Sequence, residues 1–479
     1  MTYQPLLIKP RTQSFDITLP ADIEDLAQLL SEDLDFHHSD SGYASHSFHS
    51  FPAKFPPQLP RKFIHALTRP GDVVLDPMMG SGTTLVEASL AGRVGIGCDI
   101  DPLAVKITYV KTQMLNAQRV MDLGREITDG ARYQIDHHAP ALQQRLARFW
   151  DAKTQDFADY WFLPQIQLEL LALFEQIQQI DRLPYRAFFE LIFSSTIITK
   201  SGGVSLALDL AHTRPHRAKI VKNRKGDVLI GDVDEQDLGR RAAYLTKTQR
   251  SPLREFKKRL KDTVKHWAAF QKMQTAPYLC FSNAQTMALR DNTVDLVVTS
   301  PPYASNAIDY MRAHKFSLIW FGHAIDDLGD KRSEYIGGES ISAFHFEPLP
   351  LRTQAIVDDI ARLDAKKGQV LHRYYSEITR VLREVFRVLK PGKSAIFVVG
   401  SSVMRGRDTE THHCLAEIGA GIGFEVPEIG VRHLDRNRRM MPAGTRIDRN
   451  SQIQQRMHEE YVLGFYKPTG YTGDIDAAS

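Results

Sequence analysis

Apolar residues follow two alternating rhythms along this chain, and the first clear one begins at Asp72. Val73 to Asp76 is a short apolar run ending in an acid, the mark of a buried strand, and a glycine-containing turn follows it. Thr83 to Gly92 spaces its apolar positions at helical intervals and stops in glycine, and Val94 to Asp101 is a second apolar run closing in acids. Strand, turn, helix and strand in that order predict a parallel sheet with right-handed crossovers. The strand rhythm returns at Leu279 to Ser282, Val294 to Tyr303, Lys393 to Ser402, around Phe424 to Val431 and at Glu460 to Lys467. Ahead of the third of these, an amphipathic helix carries Tyr375, Ile378, Val381, Leu382, Val385, Phe386 and Leu389 on one face. Pro391-Gly392 is expected to stop that helix, and a shorter one is expected near His412 to Ala420.

Between the two groups of strands the pattern is helical from about Gln113 to Met273. Helices are expected at Ala141 to Phe149, Pro164 to Gln178, Tyr185 to Lys200 and Pro252 to Lys272. A segment that long is more than a connection between strands. The chain is therefore read as an α/β sheet protein with a large, mainly helical insertion. An N-terminal arm occupies 1–45, with one helix near Asp22 to Glu32; the sheet domain takes 46–112 and 276–467; the insertion takes 113–275 and a tail 468–479. Residues 41–60, rich in Ser, Pro and aromatics, are expected to be irregular before a short helix at Pro60 to Leu67.

Composition adds bounds. With 43% hydrophobic and 24% charged residues, the chain is typical of a globular protein, and no apolar run is long enough for a membrane span. The N-terminal residues lack a secretory pattern, and Cys98, Cys280 and Cys414 are sparse and unpaired in spacing. Both features fit a reducing, cytoplasmic setting. The cysteines read as buried, apolar-like thiols, and the His37-His38, His137-His138 and His412-His413 pairs as surface residues; no metal site is expected. A net charge of +3 does not announce a polyanionic partner, but its distribution is uneven. His212 to Lys225 holds six Lys or Arg and no acid, Arg240 to Lys265 holds ten against Glu255 and Asp262, and Val431 to Met440 is basic again. Such clusters neutralise phosphates, though solvated helix faces carry them too.

Two short segments carry the chemistry. In the first, Asp76 to Thr84, glycines between strand and helix let a ligand approach the backbone, and the helix start offers free amides. Its spacing is neither that of a dinucleotide fingerprint nor that of a phosphate loop. Asp76 suits a ligand bearing a cationic amino group, and Asp99, closing the second strand, is placed to accept from ribose hydroxyls. The second segment is Thr299-Ser300-Pro301-Pro302-Tyr303, at the end of an apolar strand, where open α/β sheets bind ligands. An exocyclic amino group donates two hydrogens, and the Ser300 hydroxyl and Pro301 carbonyl are positioned to accept both. Tyr303 is suited to stack on an extruded base. Just after the turn, Asn306, Asp309, Tyr310, Arg312 and His314 form a polar set that serves either a base pocket or a helix N-cap.

Together these segments resemble motifs I and IV of the amino-methyltransferases that modify cytosine N4 or adenine N6 in DNA, and Phe51 to Pro57 resembles the same family's motif X. The resemblance covers about Phe51 to Asp101 and Leu279 to Lys467 and leaves the insertion outside. It implies a Rossmann-like S-adenosylmethionine-dependent methyltransferase sheet, with S-adenosyl-L-methionine as cofactor. Carried over, Phe51, Pro52, Lys54, Asp76, Pro77, Gly80, Gly82 and Thr83 would border the cofactor, chiefly its methionine part, and Asp99 its ribose. Asn283 stands where the family often has an acid facing the adenine. Ser300, Pro301, Pro302 and Tyr303 would form the catalytic turn, and serine at its first place is typical of cytosine-N4 enzymes.

The implied substrate is duplex DNA with a flipped target base, with a cognate restriction endonuclease left open as a partner. Adenine-N6 methylation, tRNA guanine-N2 methylation and a catalytically silent nucleic-acid-binding subunit are the alternatives. Against the RNA enzymes stand Ser300, where they usually carry aspartate, and the short stretch before motif X.

Overall fold

The computed structural model describes residues 21–51, 54–199, 201–210, 215–231, 245–265, 273–304, 309–434 and 459–470. Twelve strands lie in the described residues. They are β1 (Val73–Asp76), β2 (Val94–Asp99), β3 (Ile220–Lys222), β4 (Val228–Ile230), β5 (Thr246–Thr248), β6 (Tyr278–Phe281), β7 (Val294–Thr299), β8 (Leu389–Val399), β9 (Val403–Met404), β10 (Arg407–Asp408), β11 (Ile429–His433) and β12 (Glu459–Lys467). Seven form one sheet in the order β11-β12-β8-β7-β1-β2-β6. From β6 to β8 every pairing is parallel; β12 runs antiparallel to both β8 and β11.

This order places a topological switch point between β1 and β7. The chain steps outward from β1 through β2 to β6 on one side, and from β7 through β8 on the other. A crevice opens at such a point, at the carboxyl ends of the strands. All six residues of β7 are buried, as a strand covered on both faces requires. The period-two alternation is visible in the packing. Leu75, Val297, Ala395, Phe397 and Leu463 face a core built on the helices Ala365–Val388 and Thr411–Ile422. Val74, Leu296, Val298, Ile396 and Val462 face the opposite core, with α1 (Ile23–Ser31) and α2 (Gln58–Leu67).

α1 is thus no peripheral arm. Asp22 caps it in a reciprocal capping box with Asp25, and Leu26, Leu29 and Leu30 are buried against the sheet. The middle of the chain supplies α5 (Ala117–His137), α8 (Pro164–Gln178), α9 (Leu183–Ile197) and the basic helix Pro252–Val264, after α3 (Thr83–Leu90) and α4 (Pro102–Lys111), with α6 (Ala139–Leu146) and α7 (Ala152–Trp161) between. Their apolar faces merge with α4 and with Met311 to Trp320 in one cluster.

The middle segment is mainly helical, and β3, β4 and β5 form a small sheet within it. Two expectations need correction. Pro391-Gly392 does not separate helix from strand: the helix ends at Val388 and both residues lie inside β8. The register between β7 and β8 shifts there, between Val294 and Leu296, and Gly392 has φ +74°, so the pair sits in a bulge that spares the proline a ladder bond. His412 is not on the surface; its ring is buried and stacks on Tyr461 at 3.6 Å. Of the cysteines, Cys98 and Cys414 are buried and Cys280 is half-buried.

Candidate active site

The turn after β1 is shaped by two glycines in the left-handed region, Gly80 at φ +47° and Gly82 at φ +74°. A Cβ on Gly80 would come within 3.1 Å of the Phe51 ring, and one on Gly82 within 2.5 Å of Thr108. Gly82 is the N-cap of α3, and no side chain caps that helix, so its first amides point into the turn unclaimed by a capping group. Asp99, at the end of β2, holds the loop in place: its carboxylate accepts from the Gly80 amide at 2.8 Å and from the Asp101 amide at 2.9 Å. Beneath the loop, the fully buried Lys111 donates to the Ser81 carbonyl at 2.7 Å; burial holds its amine well below the usual lysine range.

The two chemical segments meet directly. Thr299, the last residue of β7, donates from its hydroxyl to Asp76 at 2.7 Å, and Thr84 of α3 donates to the Val298 carbonyl at 3.1 Å. Asp76 also accepts from the Met78 amide at 3.2 Å. Around this junction lies a cavity of about 890 Å³, its open mouth included. Phe51, Lys54, Asp76, Pro77, Gly80, Thr83, Asp99, Asn283, Ser300 and Pro302 all line it. Gly82 stands behind the loop, Pro301 is buried, and Tyr303 turns its hydroxyl away to Glu460 at 3.0 Å. Pro52 lies outside the described residues.

Other residues complete the walls. Tyr310 lines the cavity and stacks on Phe51 with ring centroids 4.9 Å apart. His314, from the same polar set, is buried and pairs through Nδ1 with Asp101 at 2.5 Å. Asp309 instead pairs with Arg312 and Arg332 and does not cap the helix Met311–Leu318; Asn306 lies outside the described residues. Asp101, Tyr335 and Ile336 line the cavity without having been singled out from sequence. Asp101 had a signal, since it precedes a proline-initiated helix and caps it. Tyr335 and Ile336 had none, because only the tertiary fold brings them to the cavity.

Electrostatics match a cationic ligand. Burial pushes the Asp76 carboxyl up to about 6, and burial with the neighbouring Asp101 charge pushes Asp99 up to about 7. Burial alone would raise Asp101 too, but the paired His314 outweighs it and holds that carboxyl below the ordinary range. Among the described residues neither Asp76 nor Asp99 forms an ion pair. A buried acid, Asp76, and a half-buried one, Asp99, without a cation and beside a backbone cradle that any added Cβ would crowd, fit a ligand with a cationic amino acid end. No group of three or more His, Cys, Asp or Glu that could hold a metal is found among the described residues, and no described helix is long and apolar enough to cross a membrane.

Part of the chain is similar to known proteins. The N6/N4 methyltransferase family, described as DNA methylase, matches residues 29–110, which contain Phe51, the glycine loop and Asp99. The type II methyltransferase M.MvaI of Kocuria varians is 22% identical over 405 residues, covering 80% of this chain and 83% of that protein. Over these residues the chain is similar to the amino-methyltransferase family. A second type II methyltransferase, M.BsoBI of Geobacillus stearothermophilus, is also 22% identical over 405 residues, covering 75% of this chain and 74% of that one. A putative DNA modification methylase of Thermus thermophilus, solved in complex with S-adenosyl-L-methionine, is 25% identical, covering 39% of this chain and 53% of its own; its TM-score of 0.19 is too low to compare the folds.

Proposed function

We propose that this protein is a site-specific DNA methyltransferase acting on the N4 amino group of cytosine, with the target base turned out of the duplex. The observation that carries the reading is the Thr299–Asp76 hydrogen bond, which joins the Ser300 turn to the glycine loop at the mouth of one cavity. An acceptor for an amino group and a cradle for a cationic donor then face the same space. Serine at position 300 is what favours cytosine N4 over adenine N6. The names of the type II relatives support DNA as the substrate, and make a companion restriction endonuclease worth seeking.

The residues fit the cofactor. Asp76, Pro77, Gly80, Gly82 and Thr83 would hold its methionine end, with Phe51 and Lys54 closing over it. Asp99 would face the ribose and Asn283 the adenine. Both Asp99 oxygens already accept an amide, but each keeps a second lone pair for a hydroxyl. Bound there, the cofactor supplies a methyl activated by its sulfonium. The protein's own part is to hold the amino nitrogen in line, with Ser300 and the Pro301 carbonyl accepting its hydrogens and favouring a tetrahedral nitrogen. Tyr303 would present its ring to the base.

The segment 113–275 is the proposed target-recognition region. On its helix Pro252–Val264, Arg254 and Lys258 are exposed, a face suited to phosphates. A cytoplasmic location completes the proposal. Incubation with labelled cofactor and duplex DNA, followed by mass analysis of nucleosides, tests it. N4-methylcytosine is the expected product. N6-methyladenine would overturn the choice of base, and transfer to tRNA alone would overturn DNA as the substrate.

A further inference from the structure

The turn that carries Tyr335 and Ile336 to the cavity is clamped by one buried ion pair. Arg373 and Glu377 stand one helical turn apart on the helix Ala365–Val388, with side chains only 6% and 2% exposed, and the guanidinium meets the carboxylate at 2.9 Å. Each partner also holds backbone of the same segment. Arg373 donates to the Ser333 carbonyl at 2.8 Å and to the Ser340 carbonyl. The second Glu377 oxygen accepts from the Gly337 amide at 2.8 Å. Neither residue lines the cavity, and nothing in the reaction as outlined above uses them.

A buried guanidinium and carboxylate give up their hydration, so such a pair adds little stability over apolar side chains of equal size. What this pair fixes is geometry. It holds the segment at Ser333, Gly337 and Ser340, and Tyr335 and Ile336 lie between the first two of these points. The turn itself is tight: the Gly338 amide donates to the Tyr335 carbonyl at 3.0 Å, and Gly337 has φ +79°. Gly338 lies so near Arg373 that a Cβ there would come within 3.2 Å of the guanidinium. Tyr335 packs against the core of the helical middle and Ile336 belongs to that of the sheet, so this wall of the cavity is tied to both cores.

We propose that Tyr335 and Ile336 are further cofactor-binding residues, and that Arg373 and Glu377 are positioning residues that hold them against bound S-adenosylmethionine. This rests on the reading of the cavity as the cofactor site. Ile336 offers a buried apolar side chain, and Tyr335 an aromatic ring, in a cavity that Asp76 and Asp99 supply with acceptors.

Cofactor titration of variants, read beside kcat at saturating cofactor, tests it. Ile336→Ala should weaken S-adenosylmethionine binding about tenfold while kcat changes by less than about twofold, the pattern of a group that binds ground and transition states alike. Ile336→Val should recover most of that affinity. Arg373→Lys keeps a charge beside Glu377, but a single ammonium does not reproduce the planar fork that spans Ser333, Ser340 and Glu377, and affinity should fall on a similar scale. Glu377→Gln turns an amide nitrogen toward either Gly337 or Arg373, both donors, and should act likewise; it carries the comparison should Arg373→Lys fold poorly. In an Ile336→Ala background, where the wall has already lost its contact, Arg373→Lys should cost less affinity than it does in the wild type; a purely structural role predicts independent, multiplying losses. Unchanged affinity in Ile336→Ala would overturn the contact. Unchanged affinity in Arg373→Lys or Glu377→Gln, a fall in kcat in place of affinity, or multiplying losses would each overturn the positioning role. A wild type that binds no S-adenosylmethionine would instead overturn the reading of the cavity, and titration of the wild type alone separates the two cases.

Discussion

Asp76 shows at residue scale how a site is kept ready at a cost in stability. Its carboxyl is buried and held up at about 6, against an unfolded value near 3.8. For an acid raised in the folded state, the folded protein binds the extra proton, so stability falls as pH rises between the two values. Above about 6 to 7 the penalty of the buried charge is fully present, with Asp99 adding to it. A cationic ligand relieves that penalty by pairing with the ionised form. Asp76→Asn should therefore raise the stability of the ligand-free protein at pH 8 by on the order of 2 kcal/mol, while weakening S-adenosylmethionine binding tenfold or more, on the order of 1.4 kcal/mol per tenfold. In the wild type, affinity for the cofactor should strengthen as pH rises from about 5.5 to about 7.5. Calorimetric titration across that range checks both; affinity independent of pH, or a destabilised variant, would contradict this account.

At the scale of an element, the loop between β1 and α3 is held by what its glycines exclude. Gly82→Ala forces a side chain into the left-handed region and into Thr108, whose hydroxyl donates to the Gly80 carbonyl. Gly71 offers an internal control, because it has φ +92° but open space where a Cβ would go. Gly82→Ala is expected to cost about 2–4 kcal/mol and to weaken cofactor binding, whereas Gly71→Ala should cost about 1 kcal/mol and leave binding unchanged. Urea unfolding and cofactor titration of the pair provide the comparison. Elements differ in how plainly the sequence announces them. β1 and α8 have the bounds that periodicity predicts, since each is long or apolar enough for its rhythm to show. The strands β3, β4 and β5 have three residues each, too few for a period-two signal to emerge. Pro391-Gly392 misled because turn chemistry can be absorbed into a bulge once neighbouring strands supply the ladder.

Across the whole molecule, the helical middle shares its core with the catalytic part. Trp320, from beyond the Ser300 turn, is fully buried among Trp150, Phe162 and Phe193, with ring centroids 4.6, 6.2 and 5.8 Å away. The Trp150 indole also donates to the Ile319 carbonyl at 2.8 Å. Trp320→Ala should cost about 3–5 kcal/mol and lower cofactor affinity along with stability, because the helix ahead of it carries His314, the partner of Asp101. Wild-type unfolding by urea should follow one transition by both fluorescence and circular dichroism. Two separated transitions would show that the segment 113–275 folds apart from the sheet.

The sequence by itself determined the kinds of element, the glycine turn, the acids that close β1 and β2, and the serine-proline turn that closes β7. These are local matters of periodicity, turn stereochemistry and side-chain chemistry, and each can be read within about ten residues. Only the tertiary structure decided which of them meet. Thr299 reaches Asp76 across 223 residues, and Tyr303 reaches Glu460 across 157. Such contacts depend on strand order and register, which are set by how whole faces pack. They joined two suggestive turns into one site and placed the Glu460 carboxylate against Tyr303.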